Sequence, residues 1–160
     1  QVSSIIEKLK EAGAEISYNK STIHVRQKNQ PAAVTVETAT YPGFPTDMQA
    51  QWVALMSVAK GISMIKETIF ENRFLHVAEL NRMGSRARIQ GNTVFVEGVD
   101  RLSGAPVMAS DLRAGAAMVL AGLAAQGKTE LSRIYHIDRG YEMLDRKLRK
   151  LGAVIKRVSS

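Results

Sequence analysis

The sequence predicts an α/β fold of repeated β-α-β-α-β-β units, in which strands and helices alternate and the last two strands of each unit form a hairpin. Three observations predict it. An apolar-periodic run that ends in glycine and passes into a β-rich segment occurs at Leu9-Lys-Glu-Ala-Gly-Ala-Glu-Ile16, Leu80-Asn-Arg-Met-Gly-Ser-Arg-Ala87 and Leu148-Arg-Lys-Leu-Gly-Ala-Val-Ile155. The glycines at 13, 84 and 152 lie 71 and 68 residues apart, which sets a repeat of about 70 residues. Two nearly all-apolar helical runs also begin alike, at Thr46-Asp47 and Ser110-Asp111, 64 residues apart.

Each element then follows in order. The chain opens on a helical pattern that stops at Gly13, where glycine tolerates positive φ. Residues 14–18 and 22–26 flank Asn19-Lys-Ser21 as a first hairpin. The stiff loop Tyr41-Pro-Gly-Phe-Pro45 leads into a helix over 48–58, with Thr46 as the expected N-cap and Gln49 completing a capping box. Residues 62–70 read as a β-like run, and 85–89 with 93–96 as a second hairpin around Gln90-Gly-Asn92. Ser110 is the expected cap of a helix over 112–125, followed by a β-like run over 128–134. Both long helices are apolar all round, including Leu55, Met56, Met118, Val119 and Leu120, so burial against sheets on more than one side is expected. Their methionines read as core filler. The approximate units are 1–33, 34–98 and 99–160, the first begun partway and the last unfinished, so we expect a piece of a larger repeat domain.

With 160 residues and 45% hydrophobic content, the chain can bury one real core and is too apolar to be disordered. No stretch of 18 residues is apolar and uncharged, and the opening does not read as a signal peptide; a soluble, cytoplasmic chain without a membrane partner is expected. There is no cysteine, so disulfides, a thiolate nucleophile and cysteine metal sites are excluded within these residues. The net charge of +7 favours anionic partners, and eight bases between Arg133 and Arg157 face only Asp138, Glu142 and Asp145. Arg146, Lys147, Arg149 and Lys150 share one amphipathic helix and read first as a solvated face. The pI of about 9.9 raises a nucleic-acid-binding module as the alternative function. Nine aromatic residues without basic-aromatic alternation speak against it, so no nucleic-acid partner is expected.

Gly122-Leu-Ala-Ala-Gln-Gly127-Lys128-Thr129 matches a phosphate-loop pattern. That loop needs a strand before it and a helix after it, so that amides at a helix N-terminus face the phosphates. Here the order is reversed, and Gly127 reads as a helix stop. His24, His76 and His136 share no ligand-like spacing and read as structural or peripheral; no metal site and no cofactor are expected. What remains is a set of charged residues where one element passes to the next. Asp47 and Asp111 open the two apolar helices, Arg113 follows Asp111, and Arg73 and Arg139 lie in the connections after the β-like runs. Guanidinium forks suit a carboxylate or phosphate, so three of them on loops of one repeat architecture are candidates to converge on a small dianion.

Phe44-Pro-Thr-Asp-Met-Gln-Ala-Gln51, Glu67-Thr-Ile-Phe-Glu-Asn-Arg-Phe74, Ser110-Asp-Leu-Arg113 and Tyr135-His-Ile-Asp-Arg-Gly-Tyr-Glu142 resemble, in order and spacing, the enolpyruvyl transferases of the UDP-N-acetylglucosamine type. The resemblance spans about residues 1–158. It implies an inside-out α/β barrel domain of pseudo-threefold units, here incomplete, and a second domain absent from these residues. It also implies transfer of enolpyruvyl from phosphoenolpyruvate to the 3′-hydroxyl of UDP-N-acetylglucosamine, in peptidoglycan synthesis. On this resemblance Asp47 is the base, Ile69 and Phe70 line the pocket, and Arg73 and Arg113 hold the phosphoenolpyruvate carboxylate. Arg139 contacts phosphoenolpyruvate or its phosphate, and Asp111 is a supporting acid. The family's lysine-asparagine pair and its loop with a cysteine or aspartate proton donor are missing, so this chain alone is expected to be inactive. A shikimate-pathway enolpyruvyl transferase fits the same fold but not Glu71-Asn-Arg-Phe74 or Tyr135-His-Ile-Asp138.

Overall fold

In the computed structural model, which describes residues 2–158, the chain opens with α1 (Ser3–Glu11) and the antiparallel hairpin of β1 (Glu15–Tyr18) and β2 (Ile23–Arg26). There follow β3 (Val36–Glu37), a 3-10 turn (Thr46–Met48), α2 (Gln49–Met56), β4 (Ile62–Lys66), α3 (Leu75–Arg82), β5 (Arg86–Gln90) and β6 (Thr93–Glu97). The last part holds β7 (Pro106–Met108), α4 (Leu112–Ala124), β8 (Glu130–Ser132), α5 (Tyr135–Asp138) and α6 (Leu144–Lys150). The glycines at 13, 84 and 152 all have φ between 90° and 97° and end α1, α3 and α6 as the sequence requires.

Connection length decides how the strands pair. β5 and β6 fold back through a tight turn at Gly91 and pair antiparallel, whereas β3 and β4 are separated by α2, a crossover that permits parallel pairing. The resulting sheet runs β3-β4-β6-β5, while β7 and β8, bridged by α4, make a separate parallel pair. Period-two alternation places Ser63, Ile65, Val94 and Val96 on the buried face of the large sheet and Ile62 and Met64 on the open face. α2 lies over the buried face and packs along α4 on its other side. The two apolar helices therefore bury each other as well as the sheet, which corrects the expectation of sheets on several sides. Ala114, Ala117 and Ala121 share one buried face of α4, whose small side chains suit close helix packing.

Trp52 anchors the packing, with its indole N–H donating to Val34 O at 3.2 Å and its ring set edge-on to Phe44 at 5.3 Å. Met56, Leu80 and Met118 are sealed in the same core, each stabilising the fold by roughly 2 kcal/mol through burial alone. A Leu80→Ala change would leave a cavity and cost about 2–5 kcal/mol.

Three local expectations are corrected. Thr46 does not cap α2: its hydroxyl is drawn away to Glu67 and Arg73, and the buried Gln49 side chain, without a hydrogen-bond partner, makes no capping box. Asp111, not Ser110, caps α4, accepting from the amides of Arg113 and Ala114 at 2.9 and 3.0 Å, while Ser110 supports it from behind. The two β-like runs are shorter than read: residues 68–70 turn out of the sheet, where the Ile69 and Phe70 amides meet Glu67, and of 128–134 only Glu130–Ser132 pairs as a strand before Arg133 takes a positive φ of 56°. Gly127, at φ 87°, follows α4 and precedes β8, so the phosphate-loop pattern stands in the reverse of the order such a loop needs. No helix among the described residues is long and apolar enough to cross a membrane.

Candidate active site

The N-terminal ends of α2 and α4 lie side by side because the two helices pack together, and this brings their opening acids and the loop before α3 to one place. Arg113 Nε donates to Asp47 Oδ1 at 2.7 Å, and Arg73 Nη2 reaches the same oxygen at 3.3 Å. Arg73 Nη1 also donates to Thr46 Oγ1 at 2.6 Å, and its guanidinium lies 4.6 Å from the centre of the Phe70 ring. A cleft of about 350 Å³ is lined by Phe70, Asn72, Arg73, Leu75, Asp111 and Arg113, together with Glu71. Ile69 and Phe70 are largely exposed beside it.

The electrostatics keep the carboxylates of the site ionised. The hydrogen bond from Arg113 holds the Asp47 carboxyl below its ordinary range; desolvation opposes this, and the charges of Arg113 and Arg73 add to it. Burial would raise the Asp111 carboxyl, but the amides of Ala114 and Arg113 outweigh burial and hold it low. His76, at the start of α3, is buried with Nε2 unpartnered, and burial pushes its imidazole down to about 4. It is neutral at pH 7 and lies within the field of both Asp111 and Arg73. Among the described residues, no group of three or more His, Asp or Glu is placed to hold a metal ion.

Of the residues singled out in the sequence, Asp47, Arg73 and Arg113 are in direct contact, and Phe70 and Asp111 share their cleft. Arg139 makes no hydrogen bond or ion pair with them: it is exposed on the turn after α5, although Ile137 and Gly140 on either side of it pack against Gly115 and Leu112 near the start of α4. Sequence reasoning missed Glu67 and treated His76 as peripheral or structural. Glu67 is buried and accepts hydrogen bonds from the Thr38 and Thr46 hydroxyls and the Ile69 and Phe70 amides, at 2.8, 2.9, 2.9 and 3.2 Å. Burial alone would raise its carboxyl, yet these four donors together hold it low. The available signal was an acid closing a β-like run whose neighbours are polar, a site where a carboxylate finds backbone amides.

A family model described as EPSP synthase (3-phosphoshikimate 1-carboxyvinyltransferase) matches residues 1–148. The chain belongs to the EPSP synthase family. Within this family it is 57% identical over 156 residues to a UDP-N-acetylglucosamine 1-carboxyvinyltransferase of Gluconobacter oxydans, and 59% identical over 154 residues to that of Desulfosudis oleivorans. These matches cover 98% and 96% of the chain, which spans 37% of the length of each relative. Its structure superposes on the enolpyruvyl transferase NikO from Streptomyces tendae with a TM-score of 0.90 at 28% identity, over 99% of this chain and 37% of NikO. EPSP synthase from Acinetobacter baumannii matches with a TM-score of 0.70 at 19% identity, over 97% of this chain and 36% of that one, a likeness of fold alone. The fold is thus the α/β fold of the enolpyruvyl transferases, of which these residues cover part.

Proposed function

We propose that the chain supplies half of the active site of a UDP-N-acetylglucosamine 1-carboxyvinyltransferase, which moves enolpyruvyl from phosphoenolpyruvate to the sugar 3′-hydroxyl and releases phosphate. The observation that carries the reading is the Asp47 carboxylate gripped by Arg113 and Arg73 at the edge of an open cleft. Two guanidinium groups held by one carboxylate are a resting arrangement that an incoming dianion can take over. Phosphoenolpyruvate then draws Arg73 and Arg113 to its own carboxylate and frees Asp47 to accept a proton. Asp47 removes the proton of the 3′-hydroxyl, and the oxygen electron pair forms a bond to C2 while C3 takes a proton from an acid outside these residues. The adduct loses phosphate and a C3 proton, and the double bond returns. No electrons are exchanged with a second reagent, so the chemistry calls for no cofactor.

In this reading Ile69 and Phe70 form the sugar-nucleotide wall, Asp111 supports the acid-rich edge, and Arg139 swings onto phosphoenolpyruvate or its phosphate when the cleft closes. The segments 1–33, 34–98 and 99–160 are parts of a repeat domain whose partner is the enzyme's N-terminal domain. The product serves peptidoglycan synthesis in the cytoplasm, with neither membrane nor nucleic acid as partner. Joined to the remainder of the protein, the chain is expected to release phosphate from the two substrates, and alone to release none. Asp47→Ala should abolish release; unchanged turnover in that variant would remove Asp47 as the base. Shikimate 3-phosphate in place of the nucleotide sugar should give no turnover, which separates this reading from the shikimate-type reaction.

A further inference from the structure

We propose that Glu67 is a positioning residue that couples the two walls of the cleft, holding Arg73 through Thr46 on one side and the Ile69–Phe70 turn through its own backbone contacts on the other. The inference rests on the function proposed above and deepens it. Glu67 is 2% exposed, and among the described residues no cation pairs with it; neutral donors hold its charge. Burying a carboxylate is unfavourable where an apolar side chain would fill the same space, so a purely packing role does not account for it.

The hydrogen-bond directions are forced. A guanidinium only donates, so Thr46 Oγ1 accepts from Arg73 Nη1 at 2.6 Å, and its single proton points to Glu67 Oε2 at 2.9 Å. Thr38 Oγ1 likewise accepts from the Thr68 amide at 2.9 Å and donates to Glu67 Oε1 at 2.8 Å. The Ile69 and Phe70 amides converge on that same Oε1. One oxygen of Glu67 thus serves the guanidinium wall and the other serves the turn, and the Phe70 ring closes the circuit under Arg73. Ionised Glu67 fixes both threonine hydroxyls, and through them the spacing between the two walls.

Two single-hydroxyl deletions separate the walls. In the full-length enzyme, Thr46→Val should raise KM for phosphoenolpyruvate about tenfold and leave KM for the nucleotide sugar within about twofold. Thr38→Val should do the reverse, and Glu67→Gln should raise both. Equal effects of the two threonine variants on the two substrates, or no effect, would overturn the coupling while leaving the reaction itself established. Amide hydrogen exchange gives a readout independent of turnover. Ile69 and Phe70 should be protected in the wild type and in Thr46→Val, and exposed in Glu67→Gln. Unprotected amides in the wild type would overturn the proposal whatever the substrates prove to be.

Discussion

Arg113 donates its Nε–H to Asp47 Oδ1 at 2.7 Å, joining two residues 66 positions apart at the heads of the two helices that form the centre of the fold. The pair is solvent-facing, with Asp47 59% and Arg113 36% exposed, so water screens most of its attraction. Removing it should therefore hardly affect stability. Asp47→Ala is expected to shift the free energy of unfolding by less than about 1 kcal/mol in urea titrations, while phosphate release by the assembled enzyme disappears. A large loss of stability would mean that Asp47 serves the fold.

Asp111 has two tasks that a substitution pair can separate. As the cap of α4 it satisfies the amides of Arg113 and Ala114, so Asp111→Ala should cost about 1 kcal/mol. Asp111→Ser should recover most of that, since a hydroxyl still accepts from those amides. Turnover should stay low in both variants if the charge supports the site; full activity in the serine variant would reduce Asp111 to a cap.

His76 predicts a dependence of stability on pH. Its imidazole lies at about 4 in the folded chain against an ordinary 6.5, so between those values the unfolded chain binds the proton and the folded chain does not. Stability contributed by this group is therefore complete above about pH 6.5 and falls as the pH drops towards 4, by roughly 2 kcal/mol at pH 5. Asp111 partly offsets the effect and Arg73 reinforces it, because they are the charged groups whose fields reach the ring. Urea midpoints at pH 7 and pH 5 should differ more in the wild type than in His76→Phe. Equal differences would mean that the ring titrates normally.

A β-carbon at Gly98 would stand 1.6 Å from the carbonyl oxygen of Ala59, which is backbone and cannot turn aside. Gly98→Ala should accordingly destabilise by more than about 3 kcal/mol in thermal melts. Gly84→Ala meets nothing within 4 Å and suffers only from its φ of 90°, for a cost of about 1 kcal/mol. Similar costs at the two positions would contradict the close approach of the hairpin end to the loop after α2.

The helix stops at Gly13, Gly84 and Gly152 and both hairpins were legible because each depends on neighbours within a few residues. The caps were read less well for the opposite reason. Thr46 has the chemistry of an N-cap, yet Glu67 and Arg73, 21 and 27 residues away, compete for its hydroxyl and win. The Ser110 and Asp111 pair left two adjacent capping residues, and only the backbone conformation decided for Asp111.

The sequence by itself determined the repeat, the order of the main strands and helices, the absence of cysteine from these residues and the presence of Asp47, Arg73, Arg113 and Arg139 at the joints between elements. These properties are set by residue type and short-range periodicity. Tertiary structure alone decided that Asp47, Arg73 and Arg113 touch, that Arg139 makes no hydrogen bond or ion pair with them, and that Glu67 and His76 are buried beneath the cleft. The physical reason is that ionisation and hydrogen-bond direction depend on which distant segments exclude water from a group, and that is settled only when α2 and α4 pack together.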